Sequence, residues 1–374
     1  MRILLLGDYS NFNRCLSIGL SRMGHDVTVA SDGCRWMDTA RQIDLSRPLQ
    51  GKAGGALLWL RLRTLLARDL RGYDVVAVNN PVFVDLQPHR VMSLFRWLKR
   101  NNGSVFLTAM GTDSPYVRMC VAEDSPLRYN EFRINGCRSP FASAHPETEE
   151  AWLRMPLSDH CRRIYDGIDG AVSALYEYHL AIQRVLPPEK VAYGGIPVDL
   201  ADVRRTVSDE VPERVTLFLG RHSDRMLEKG TDRMEAAARA IVGEMPGRCR
   251  LEIVENQPYA RYQELLGNAH VMLDQLYSYT PATNALLGMA RGMTVVTGAE
   301  PEYYDFIGER INRPIINAVP DDAVLADQLR TIVSQPDMIP RRAESGRRFV
   351  TQHNSTEAVA GRFVDFWMRR LNML

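Results

Sequence analysis

Cysteine is scarce and scattered in this chain of 374 residues. The six (Cys15, Cys34, Cys120, Cys137, Cys161 and Cys249) form no C-x-x-C pair and have no companion histidines at zinc-finger spacing. That excludes a disulfide framework and a structural metal. Long apolar runs are missing too. The opening MRILLLG carries one Arg and then four apolar residues, well short of a signal-peptide core or a spanning helix, so it reads as the first β-strand of a cytoplasmic protein. No G-x-G-x-x-G follows a strand, which sets aside a nicotinamide dehydrogenase, and GKAGG around Lys52 lacks both the glycine spacing and the Ser/Thr of a P-loop. Charge imbalance is small overall, at +1, but uneven. Residues 1–114 hold fifteen Lys/Arg against nine Asp and no Glu, a balance of +6 that leaves −5 for the rest. A basic front half suits an anionic membrane surface, a phosphate-bearing acceptor or nucleic acid, or simply solvated helix faces.

What is present is ample core material, 45% hydrophobic residues in a length that suits two domains. Short β-branched runs alternate with helical stretches from end to end, the pattern of an α/β protein with parallel sheets. In the first half the spacing predicts strands at Arg2–Leu6, Asp26–Ala30, Asp74–Val78 and Val105–Ala109. A helix over Asn13–Met23 closes the first βαβ unit at Gly24. The segment Ser114–Arg163 shows little periodicity and is expected to be an irregular insertion on the acceptor side. A Pro- and Gly-rich stretch near Pro197–Ala201 marks a domain boundary. A second alternation follows: strands Val215–Leu219, Leu251–Val254, Val271–Leu273 and Thr294–Thr297, with helices Asp232–Val242, Tyr259–Leu266 and Ala282–Arg291. The last stretch, Ser355–Leu371, places Val359, Phe363, Phe366 and Trp367 on one helical face.

Two features of the second half carry chemistry. In FLGRHSDRMLEKG a strand ends in Gly220, followed by Arg221 and, eight residues on, Lys229. Two cations thus leave the carboxyl edge of a sheet, where open α/β sheets bind ligands, and they suit a diphosphate whose charge grows as it departs. In DQLYSYTPATNALLGMARG, Thr280 before Pro281 predicts an N-cap and a first helical residue, aiming free N–H groups at the same edge. Thr280, Thr283 and Asn284 add candidate hydrogen bonds to phosphate or sugar hydroxyls. Ala285, Leu286, Met289 and Ala290 sit at core spacing.

These pieces, Gly220-Arg221 with Lys229-Gly230 and the stretch from Met289 to Val296, resemble the retaining glycosyltransferases of the GT-B fold, in particular glycosyltransferase family 4. The resemblance spans nearly the whole chain. It implies two facing Rossmann-like domains with a central cleft, residues 1–198 on the acceptor side and 199–352 binding the nucleotide sugar, and residues 353–374 as a helix crossing back to the first domain. It also implies that Arg221 and Lys229 hold the diphosphate of a nucleotide-sugar co-substrate, with a glycan or lipid-linked acceptor, no other cofactor and no nucleic-acid partner. One departure stands out: where family members carry two glutamates eight positions apart, this chain has Tyr279 and Leu287. Tyr279, Thr283 or Asn284 then become candidates for recognising the sugar. No D-x-D triplet occurs, so a metal-independent reaction is expected.

In the first domain GDYSNFN replaces a glycine-rich turn, which leaves Gly7 for close backbone approach to a phosphate and Asp8, Ser10 and Asn11 as candidates to face the cleft. Asp113, after Gly111 in AMGTDSPY, is a candidate catalytic residue to orient or deprotonate an acceptor hydroxyl, and an Asp in such a turn is also a local cap. His25 and His270 read as structural, and His222 lies beside Arg221. Residues 59–71, WLRLRTLLARDLR, suit either a helix lying on a membrane or a snorkelling surface helix. Two other functions stay open: a nucleotide-sugar epimerase, and a sugar-nucleotide-binding module without catalysis.

Overall fold

Runs such as RILLL, VVAVN and SVFLTA have no polar face, because parallel strands covered by helices on both sides are buried on both. In the computed structural model, which describes residues 1–34, 37–205 and 210–371, these runs form the centre of the first of two units. That unit comprises Met1–Asp124, Pro146–Pro197 and Thr356–Leu374. Its strands are β1 (Arg2–Leu6), β2 (Asp26–Ser31), β3 (Ile43–Asp44), β4 (Val75–Asn79), β5 (Ser104–Ala109), β8 (Gly170–Ser173) and β9 (Val191–Tyr193). All are parallel, in the order β3-β2-β1-β4-β5-β8-β9. The helices of this unit are α1 (Phe12–Arg22), α2 (Gly51–Arg61), α3 (Pro88–Asn101), α4 (Ser114–Val121), α6 (Pro146–Leu153), α7 (Leu157–Gly167), α8 (Tyr176–Gln183) and α16 (Thr356–Leu371). A π-helical turn, Leu62–Leu66, continues α2.

The second unit comprises Ser125–His145 and Val198–Ser355. Its parallel sheet runs β11-β10-β12-β13-β14, from strands β10 (Val215–Arg221), β11 (Cys249–Glu255), β12 (Val271–Leu273), β13 (Thr294–Thr297) and β14 (Ile316–Asn317). An antiparallel pair, β6 (Arg133–Ile134) and β7 (Cys137–Arg138), stands apart from it. The helices are α5 (Pro140–Ala144), α9 (Met226–Lys229), α10 (Thr231–Glu244), α11 (Tyr259–Leu265), α12 (Thr283–Ala290), α13 (Pro301–Phe306), α14 (Asp322–Ser334) and α15 (Met338–Asn354). Leu217, Leu219, Met234, Ile241, Leu273 and Val296 are among the buried side chains of its core.

The C-terminal helix belongs to the first unit because its apolar stripe has a complementary surface there. Phe363 meets Phe12 at 6.1 Å between ring centroids, and Phe366 and Trp367 meet Phe106 at 5.9 and 6.1 Å. Gly19 lets α1 and α16 touch, since a Cβ there would overlap the Thr356 carbonyl.

The four strands expected in each half are present, most within a residue or two of their expected ends. Two expectations need correction. Ser114–Arg163 is not irregular: it holds α4, α5, α6 and most of α7, the first two capped by Asp113 and Ser139 side chains. Its helices each begin at or next to a proline and most are short, which hides the 3.6-residue period. The middle of that stretch, Ser125–His145, expected within residues 1–198, groups with the second unit.

Candidate functional site

At the carboxyl edge of the second sheet, β10 delivers Gly220 and Arg221. Register places Arg221 opposite Glu255 on β11, and its Nε donates to Glu255 Oε2 at 2.6 Å. Its other arm donates to Glu235, one turn into α10, which also accepts from Arg239 at 2.7 Å. The guanidinium, expected to await a phosphate, is therefore held between two carboxylates. Gly220 has a packing role as well: a Cβ there would overlap the Tyr262 ring.

Lys229 ends α9, and its Nζ lies 3.9 Å from Asp274 Oδ1. Asp274, the residue after β12, is 1% exposed; its Oδ1 accepts from Asn284 Nδ2 at 3.2 Å and its Oδ2 has no hydrogen-bond partner among the described residues. Asn284 Oδ1 in turn accepts from the Tyr262 hydroxyl at 2.8 Å. Lys229, Asp274, Asn284, Tyr262 and Gly220 thus form one connected cluster at the sheet edge, beside the first turn of α12. Of these, Asp274 and Tyr262 were missed from sequence. An Asp directly after the apolar strand VML was the signal for the first; the second needed the fold.

The helix start differs from expectation. α12 begins at Thr283 with Ala282 at the cap position and no side-chain cap bond, so Thr280 and Pro281 precede it. Thr280 is buried, and the turn is pinned by Gly298, whose Cβ would overlap the Ser278 carbonyl.

Tyr279 does not face an open edge. It is 1% exposed, its hydroxyl accepts from the Arg128 N–H at 2.7 Å, and its ring lies 5.1 Å from that of Tyr129 and 5.3 Å from the Arg128 guanidinium. Around it, the buried Glu300 accepts from Arg128 at 2.5 Å, from the Tyr129 hydroxyl, and from Asn317 Nδ2 at 2.9 Å; Arg128 also pairs with Glu302. Burial and the Glu300 carboxylate push the Tyr129 phenol far up, so it stays a proton donor. Tyr279 thus anchors the 125–145 segment.

In the first unit Gly7 adopts φ +86°, and a Cβ would lie 2.9 Å from the Phe83 carbonyl, so the close approach it permits is to its own chain. Asp8 is buried: it accepts from the Asn13 N–H at 3.0 Å and the Thr39 hydroxyl at 2.9 Å, and burial raises its carboxyl pKa. Ser10 and Asn11 both have left-handed backbones. Asp113 is engaged on both oxygens, capping α4 through Tyr116 N–H at 2.9 Å and accepting from the Tyr165 hydroxyl at 2.6 Å; burial pushes it up to about 6. Gly7, Asp8, Ser10, Asn11 and Asp113 thus lie in the first unit, where Gly7, Asp8 and Asp113 hold its loops, while the remaining candidates belong to the second.

No protein-family profile matches the sequence, and no curated protein does. Solved structures do match. Sucrose-phosphate synthase from Thermosynechococcus elongatus gives a TM-score of 0.64 at 15% identity, covering all of both chains. HepE from Anabaena, in complex with UDP and glucose, gives 0.58 at 10%, over 99% of this chain and all of that one. A UDP-N-acetylglucosamine 2-epimerase gives 0.56 at 12%, over 100% and 96%. The chain has the GT-B fold. Open α/β sheets bind ligands outside the carboxyl ends of their strands, and that edge of the second sheet carries the Lys229 cluster. Among the described residues no helix is long and apolar enough to cross a membrane.

Proposed function

We propose that this GT-B chain is a glycosyltransferase, moving a sugar from a nucleotide-diphosphate donor to a glycan or lipid-linked acceptor by a retaining, metal-independent route. The observation that carries the proposal is the Lys229 cluster. An ammonium at the carboxyl edge, beside the first turn of α12, supplies positive charge where the departing diphosphate gains negative charge. Arg221, neutralised by Glu235 and Glu255, positions that edge. Asn284 and Thr283 meet donor hydroxyls. Asp113, 5% exposed and engaged on both oxygens, holds the acceptor-side loop in this reading and does not itself meet the acceptor. The absence of a D-x-D triplet supports the metal-independent route, and retention rests on the resemblance to family 4.

The test is a thermal-shift screen against UDP, GDP, ADP, TDP and their sugar conjugates, comparing wild type with Lys229→Ala and Arg221→Ala. One ligand should raise the wild-type midpoint by mass action and lose most of that effect in Lys229→Ala. No shift with any nucleotide removes the donor site. The epimerase neighbour motivates a second function, sugar isomerisation on the same fold. Nucleotide release that requires an acceptor excludes it; sugar isomerised without an acceptor establishes it; donor binding with neither outcome marks a non-catalytic binding module.

A further inference from the structure

The outer surface of α2 is apolar although nothing among the described residues covers it. Gly54, Gly55 and Leu58, followed by Leu62 and Leu66 in the π-helical turn, face the core of the first unit. On the opposite side Ala53, Ala56, Leu57 and Leu60 recur at helical spacing in solvent, with Leu57 44% and Leu60 58% exposed. Leu49, 56% exposed, is held beside them because Gly54 has no Cβ to fend off the Leu49 carbonyl. An amphipathic helix that only snorkels would bury its leucines and expose its cations; this one exposes both.

The segment that carries the leucines is cationic. Residues 51–72 contain Lys52, Arg61, Arg63, Arg68 and Arg71 against a single acid, Asp69. Arg63 lies over the half-buried Trp59 at 5.8 Å, and the Arg68 side chain is 84% exposed beside Asp69. The bordering acids are already answered, Asp85 by Arg47 and Asp44 by Arg41, each at 2.9 Å. We propose that this face docks the protein on an anionic bilayer, with Leu49, Leu57 and Leu60 entering the headgroup boundary and Lys52, Arg63, Arg68 and Arg71 meeting lipid phosphates. A second copy of the same surface would bring like charges together, and a nucleic acid would leave the leucines without a partner. The inference stands on the helix alone and names a surface for a membrane-bound acceptor only if the proposed transferase function also holds.

The test is co-sedimentation of the full chain with vesicles of equal parts phosphatidylglycerol and phosphatidylcholine, against phosphatidylcholine alone, at low and high salt. Wild type should pellet with the anionic vesicles and be released by salt. Leu57→Ser with Leu60→Ser should weaken partition roughly tenfold. Arg63→Gln with Arg68→Gln should lose roughly fivefold per cation. These side chains are exposed, so unchanged thermal midpoints verify folding. Failure of wild type to pellet at low salt, or a leucine variant that pellets like wild type, overturns the proposal. So does a vesicle-free dimer that the leucine substitutions dissociate while vesicles capture nothing, which would make the face a contact between copies. No nucleotide is involved, so the outcome is independent of donor binding.

Discussion

Asp113→Asn separates a buried cap from a solvated catalytic acid. In the folded chain the Asp113 carboxyl titrates at about 6 instead of its ordinary 3.8, chiefly because burial penalises the charge, while Tyr116 N–H and Tyr165 O–H partly offset that penalty. The difference is ~100-fold in proton affinity, or ~3 kcal/mol. Because the folded carboxyl holds its proton more tightly than the unfolded one, its contribution is fully present below the unfolded value and is lost as pH rises through about 6. Asparagine resembles the protonated acid. Its Oδ1 keeps the Tyr116 cap, and its Nδ2 donates to a Tyr165 oxygen whose own proton then lacks an acceptor, a roughly constant cost of about 1–3 kcal/mol. The stability of Asp113→Asn relative to wild type should therefore rise by up to ~3 kcal/mol between about pH 3.5 and pH 7, whatever its starting offset. Unfolding of both proteins by urea across that range measures the difference, with every other titrating group cancelling. A flat difference would refute the buried-cap account.

Tyr279→Phe removes the acceptor of the part-buried Arg128 N–H and should cost about 1 kcal/mol, with faster amide exchange over residues 125–145; unchanged protection there would show that Tyr279 does not anchor the segment. Gly19→Ala places a Cβ into the Thr356 carbonyl and should cost about 1–3 kcal/mol by forcing α16 from α1. A denaturation midpoint equal to wild type would mean that this helix pair is less tightly set than its contacts imply.

Strands buried on both faces were legible because they are short uninterrupted apolar runs bounded by loops, and β1, β12 and β13 appear at their expected bounds. β8 and β9 went unmarked, since GAVS and VAY are too short and too mixed to stand out from helix. At the candidate site, sequence located the edge that Gly220, Lys229 and Asn284 share but not what neutralises it. Glu235 lies in a helix and Glu255 at a strand end, and only register and helix phase bring them to Arg221. Tyr279 looked like a replacement for a sugar-binding glutamate because linear alignment cannot reveal that Arg128, 151 residues away, covers it.

The chain passes between its two units four times, after residues 124, 145, 197 and 355. Neither unit is therefore a contiguous fragment. A piece ending at Pro197 would lack α16 and leave Phe12 and Phe106 without their aromatic partners, while a piece starting at Val198 would lack Arg128 and Tyr129 around Glu300. Truncation cannot isolate the second unit for study; an autonomous version requires residues 125–145 to be grafted back, and a single proteolytic cut at any one junction leaves the units joined by the other three.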